Sequence, residues 1–172
     1  MDGVAMKARP WPAYLICAAV AAAIYVFLSI HTQWTLFPYT KALNALFGFH
    51  FYAIDDGYQA AGSGFMITRT CSGVNLFAGL CMILVFGFLH RFHGTKRRTF
   101  AAMACIVAAL LVTFIATLAR IILSLPFAES EHFKLIHTVL SLCVFYGTGL
   151  LVYWCAHKVV RRYTHETQTK VV

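Results

Sequence analysis

Four apolar runs, each close to bilayer-spanning length, constrain this chain more than any other feature. They extend from about Pro12 to Ile30, Gly73 to Leu89, Phe100 to Leu125 and Leu135 to Ala156. A helix that crosses a hydrocarbon core of about 30 Å needs about 20 largely apolar residues. With 60% of the 172 residues hydrophobic and only 12% charged, lipid rather than water is the expected solvent. The length suits one integral membrane domain over residues 1–172, and neither a solenoid repeat nor a low-complexity tract interrupts it. The fold class expected is all-α, a polytopic membrane helix bundle with four transmembrane helices.

The formal charge of +8 would point to nucleic acid in a soluble protein. Here the basic residues fall in short clusters between apolar runs, which fits lipid headgroups and topology instead. Lys7 and Arg9 precede the first run; Arg91, Lys96, Arg97 and Arg98 separate the second from the third; Lys158, Arg161, Arg162 and Lys170 follow the fourth. Ten of the fourteen Lys and Arg thus collect on one side, and Asp55, Asp56, Glu129 and Glu131, four of the six acids, on the other. The positive-inside rule places both termini in the cytoplasm, consistent with a bacterial inner membrane. The first run resembles a signal peptide, but it is long and leads into His31-Thr32-Gln33-Trp34 without a small-x-small cleavage site, so a retained anchor is expected.

Residues 31–72 then form an extracytoplasmic segment. Between Trp34 and Phe51, Leu36, Phe37, Ala42, Leu43, Leu46 and Phe47 surround Lys41 and Asn44, the pattern of an amphipathic helix lying on the outer interface. A fifth span here is the second choice, because it would spoil the charge asymmetry. Residues 53 to 64, with Asp55-Asp56-Gly57 and Gly62-Ser63-Gly64, have the chemistry of a loop.

Three reactive side chains arrive at the outer level from three helices. Cys71 immediately precedes the second span. Arg120 lies about 20 residues, or about 30 Å, beyond the cytoplasmic start of the third. His137 opens the fourth. Each has an ordinary explanation alone: an arginine snorkelling to headgroups, an interfacial histidine, an inert thiol. Together they offer a nucleophile, an anion binder and a proton carrier. Thr113, Thr117, Arg120 and Ser124 share one face of the third helix, as do His137, Ser141 and Thr148 on the fourth. Cys71, Asn75 and Gly79 are expected to share a face of the second, with Gly79 permitting close helix approach. These polar stripes should turn inward. Five of the six cysteines, 17, 81, 105, 143 and 155, lie in apolar runs, and no pair has CxxC or zinc-ligand spacing, so no metal or cofactor is expected.

The chemistry expected of such a site is acyl transfer. The positive end of the second helix would favour a Cys71 thiolate, with backbone N–H groups around Ser72 and Gly73 as oxyanion donors. His137 would carry the proton, and Arg120 would hold the oxyanion or a substrate carboxylate. His132, five residues earlier, is the rival base. At this point the sequence resembles the exosortase/archaeosortase family, and within it the short exosortase K type. The likeness rests on Thr70-Cys71-Ser72-Gly73-Val74-Asn75, on Leu118-Ala119-Arg120-Ile121 and on His137, over roughly residues 60 to 155. It implies a polytopic cysteine protease or transpeptidase with Cys71 as nucleophile, Arg120 as stabiliser and His137 as acid/base. The implied substrate is the C-terminal sorting-signal tail of an exported protein: a short motif, an apolar helix and a basic end. An amine acceptor such as a lipid headgroup, or water, would release it. The chain is shorter than many members, so helices that bind substrate would be reduced or supplied by a partner.

Two other classes fit the same residues. A non-enzymatic membrane subunit or transporter-like protein would bind an anionic ligand at Arg120. A thiol oxidoreductase would use Cys71, but no resolving cysteine lies at its level.

Overall fold

A computed structural model of the chain describes residues 11–62, 65–89, 95–128 and 130–169. Lys7, Arg9, Ser63, Gly64, Arg91, Glu129 and Lys170 lie outside the described residues. Five helices and a small sheet follow in order: α1 (Trp11–Ile30), α2 (Thr32–Phe47), β1 (Phe51–Ile54), β2 (Gly57–Ala60), β3 (Met66–Thr68), a 3-10 turn (Arg69–Cys71), α3 (Val74–Phe88), α4 (Thr95–Ser124), a second 3-10 turn (Leu125–Phe127) and α5 (Phe133–Thr169). The chain is therefore mostly helical, and the helices coincide with the apolar runs.

Three stretches, Arg69–Phe88, Arg97–Phe127 and Phe133–Val159, are long and apolar enough to cross a membrane. A fourth arises if Tyr14–Ile30 and Thr32–Phe47, bent by 78° at their junction, count as one broken span. The corner has a local cause. His31 interrupts the helix, and the Thr35 hydroxyl lies 2.9 Å from the Leu28 carbonyl and 3.0 Å from that of His31, occupying acceptors that the bend frees. Pro38, which has no N–H to donate, sits inside α2 soon after the corner.

α3 is the hub of the bundle, in contact with α1, α4 and α5. Leu76, Phe77, Leu80, Cys81, Leu84 and Phe88 form its buried face, against Ile106 and Ala109 of α4. Gly79 turns toward α5, where a Cβ would touch the Phe145 ring, in keeping with the close approach expected there. The third-helix stripe also turns inward: Thr113, Thr117 and Ser124 are all buried.

The stretch expected as a loop, residues 53 to 64, is in part strand: Phe51–Ile54, Gly57–Ala60 and Met66–Thr68 are extended, and turns at 55–56 and 61–62 remain among the described residues. The strands form a three-stranded antiparallel sheet ordered β1-β2-β3, in which Ile54 pairs with Gly57 so that Asp55 and Asp56 make a two-residue hairpin turn. Gly57 is required by space as well as by the turn, because a Cβ there would collide with the Ile67 carbonyl on β3. α2 lies across this sheet and the turn that follows it. Its inner face, Leu36, Tyr39, Thr40 and Leu43, is buried, while Trp34, Phe37, Leu46 and Phe47 on the remaining surface stay exposed.

Candidate functional site

Cys71 ends the 3-10 turn that leads from β3 to α3. Ser72 follows, and Gly73 is the N-cap residue of α3, with φ +71°. That left-handed conformation favours glycine, and space requires it too: an added Cβ would strike the Thr117 hydroxyl and press on the Thr113 methyl. The αL residue also breaks helical register. Cys71 and Asn75 therefore do not share a face, contrary to the spacing expected of a continuous helix. Cys71 is only 8% exposed and packs with Leu36, Tyr39 and Leu43 of α2, Ile67 of β3 and Ile121 of α4. Asn75 points the other way, is exposed, and accepts a 3.3 Å hydrogen bond from the Tyr25 hydroxyl of α1.

Arg120 ties the three polar helix ends together. Its Nη2 donates to the Thr70 carbonyl at 3.2 Å, and its Nη1 donates to the Ser141 hydroxyl at 3.3 Å. Ser141 in turn donates to the His137 carbonyl at 2.6 Å. The guanidinium thus grips the peptide unit that joins Thr70 to Cys71 and, through Ser141, the first turns of α5. Arg120 Nε and His137 Nδ1 are both buried without a hydrogen-bond partner among the described residues. A buried unpaired donor or acceptor costs about 1–3 kcal/mol, so each has capacity for a further group.

His137 and His132 differ in setting. His137 is half-buried on α5 with its ring 5.5 Å from that of Phe133, whereas His132 is exposed in the turn before the helix. The His137 backbone carbonyl, not its ring, is linked to Arg120, through the Ser141 hydroxyl. Cys71 itself makes no hydrogen bond to Arg120 or His137 among the described residues. Arg120 and the Thr70–Cys71 peptide are brought together; the thiol and the imidazole are not in recorded contact.

A cavity of about 620 Å³ opens beside this network. Ser72, Gly73, Asn75, Thr117, Arg120 and Ser141 line it, together with Arg69 and Tyr25. Cys71 and His137 do not, so the thiol lies under α2 on one side of the turn and the cavity lies on the other. No group of three His, Cys, Asp or Glu that could hold a metal occurs among the described residues.

Tyr39 is a site residue that the sequence conceals. It is buried, its hydroxyl donates to the Ser72 carbonyl at 3.3 Å, and its ring stacks on Phe114 with centroids 5.1 Å apart. Burial pushes the phenol's pKa above its ordinary value, against the smaller opposing pull of the Thr117 hydroxyl and the Arg120 charge, so Tyr39 stays a donor. The stripe Leu36, Tyr39, Thr40 and Leu43 has helical spacing and was the available signal. Arg69 and Tyr25 join the site only through tertiary packing.

No protein family, curated protein or solved structure matches this chain.

Proposed function

We propose that this chain is a membrane-embedded cysteine peptidase or transpeptidase of exosortase type, acting on the C-terminal sorting tails of exported proteins at the extracytoplasmic face. The observation that carries this is the Arg120 link, which joins the peptide before Cys71 to the His137 segment of α5. A charge-bearing donor beside a candidate nucleophile, with an unpartnered imidazole nitrogen on the neighbouring helix, is the set of parts that acyl transfer needs.

Once α2 has given way and the thiol has been brought to His137, which it does not touch in the resting chain, Cys71 gives its proton to the imidazole and the thiolate attacks the scissile carbonyl carbon. Arg120 and backbone N–H groups near Gly73 take the charge on the tetrahedral oxygen. The C–N bond then breaks, His137 returns the proton to the departing amine, and a thioester remains on Cys71. Water or an amine attacks that thioester, His137 takes its proton, and the thiol is restored as the acyl group leaves. Cys71 is buried under α2 in the resting chain, so entry of the substrate requires α2 to give way. In cells, Cys71→Ala should leave the C-terminal helix of a sorting substrate uncleaved, whereas normal processing by that variant would exclude the nucleophile assignment. A thioester trapped on Cys71 would separate acyl transfer from thiol exchange, which would give a mixed disulfide.

A second reading, an anion-binding membrane subunit, is favoured by one observation: Arg69 and Arg120 line the cavity and Cys71 does not. It expects Cys71→Ser to retain function and Arg120→Ala to lose it.

A further inference from the structure

We infer that the cavity beside Arg120 binds the phosphodiester of a membrane phospholipid, with the acyl chains lying in the cleft between α1 and α5. This rests on the chain being membrane-embedded and does not depend on peptide chemistry at Cys71.

Charge is the first reason. Arg69 and Arg120 both line the cavity, no Asp or Glu does, and neither guanidinium is paired with a carboxylate among the described residues. Burying a cation without a counter-charge is costly, and Arg120 Nε is already buried without an acceptor. An anion in the cavity would answer both.

The floor of the cavity supplies more donors. α3 starts there with Gly73 as its cap, so no side chain satisfies the first-turn N–H groups, and the positive end of the helix faces the same space. The amide of Asn75 lies beside them. Two guanidinium groups and an open helix start match the paired non-bridging oxygens of a phosphodiester.

The wall selects a lipid over a free anion. Leu142, Phe145 and Tyr146 of α5 line the cavity and are also exposed on the outer surface of the bundle. α1 and α5 both pack on α3 yet scarcely touch each other, which leaves the cavity open sideways between them. A ligand fitting this shape has an anionic head and an apolar tail, and Tyr25 and Tyr146 add amphipathic rings to the lining.

The test uses the full chain purified in detergent, after resistance of the membrane-bound protein to carbonate extraction has established embedding separately. Binding of phosphatidylglycerol, glycerol 3-phosphate and diacylglycerol is measured by native mass spectrometry. Phosphatidylglycerol should bind best, and Arg69→Gln should weaken it about tenfold, the loss of roughly one charge-assisted hydrogen bond. Arg69→Lys should lose less. Arg69 is exposed, so its replacement leaves the core intact; Leu142→Trp, which narrows the cleft from the other side, should independently weaken the phospholipid but not glycerol 3-phosphate. Cys71→Ala should bind as the parent does, which separates this site from peptidase activity. Unchanged binding in Arg69→Gln would overturn the assignment. Equal affinity for glycerol 3-phosphate would make the ligand a soluble anion, and equal affinity for diacylglycerol would remove the phosphate; either result overturns it.

Discussion

Gly73 sets the direction in which the residues around it point. Because it turns through the left-handed region between Ser72 and α3, the thiol of Cys71 goes to the α2 side and Asn75 goes to the cavity side. Gly73→Ala would meet both penalties at once, a positive φ for a residue with Cβ and a clash with Thr117 on α4. A cost of about 2–4 kcal/mol is expected, of which the backbone part is about 1–2 kcal/mol. Thermal unfolding in detergent should show that Thr117→Ala recovers some of the loss in a Gly73→Ala background. No recovery would mean that the clash is relieved by movement of the turn. Tyr39→Phe isolates a second local contact. It removes only the donor to the Ser72 carbonyl and keeps the ring on Phe114, so about 1 kcal/mol should be lost. If the Ser72 carbonyl helps hold the turn for catalysis, processing of substrate should fall further in this variant than its unfolding midpoint accounts for.

At the level of elements, the helices were legible in the sequence and the sheet was not. Runs such as Val74–Phe88 and Phe100–Ser124 declare themselves because helical length and bilayer thickness agree. The strands have only three or four residues each, too few for a period of two to stand out, and Gly62 and Asp55-Asp56-Gly57 looked like punctuation. A turn signal was present all the same, in Asp55-Asp56 followed by Gly57, between Tyr52-Ala53-Ile54 and Tyr58-Gln59-Ala60. Of the site, span length gave only the common depth of Arg120, Cys71 and His137; the contact of Arg120 with the Thr70 carbonyl is a matter of packing. The register break at Gly73 and the cover that α2 places over Cys71 depend on tertiary packing. That cover makes a prediction. Leu43 is fully buried beside the thiol and Leu46 is exposed one turn on. In a variant retaining only Cys71, maleimide should label the resting protein slowly. Leu43→Ala, which removes about 2–5 kcal/mol of packing, should speed labelling, and Leu46→Ala should not. Equal rates in all three would show that α2 does not control access to the thiol.

For the whole molecule, the decisive feature is how little of α5 the rest of the chain covers. Leu135, Val139, Leu142, Tyr146, Leu150 and Trp154 are all exposed, and the most apolar part of this helix has none of its residues buried inside the molecule. So large an apolar surface requires lipid or another protein around it. In the proposed orientation, lipid surrounds α3, α4 and α5, with α1 entering from the same side to which α5 returns. α2 and the sheet then rest on the far surface, with α2 over the Cys71 turn. α1 has 20 helical residues, enough for about 30 Å, so it can span alone while α2 lies flat after the 78° corner. A reporter fused after Thr169 should therefore behave as cytoplasmic. A cysteine placed at His50, an exposed position between α2 and β1, should react with a membrane-impermeant thiol reagent added outside cells. If α1 and α2 instead formed one broken span, residue 50 would still follow a single crossing. Lys41, within the second half of α2, separates the two arrangements: Lys41→Cys should be labelled from outside if α2 lies on the surface and protected if it is part of the crossing. A C-terminal reporter exported from the cytoplasm would reverse the assignment of sides, and would put the Arg120 cavity and Cys71 on the surface that exported substrates do not reach.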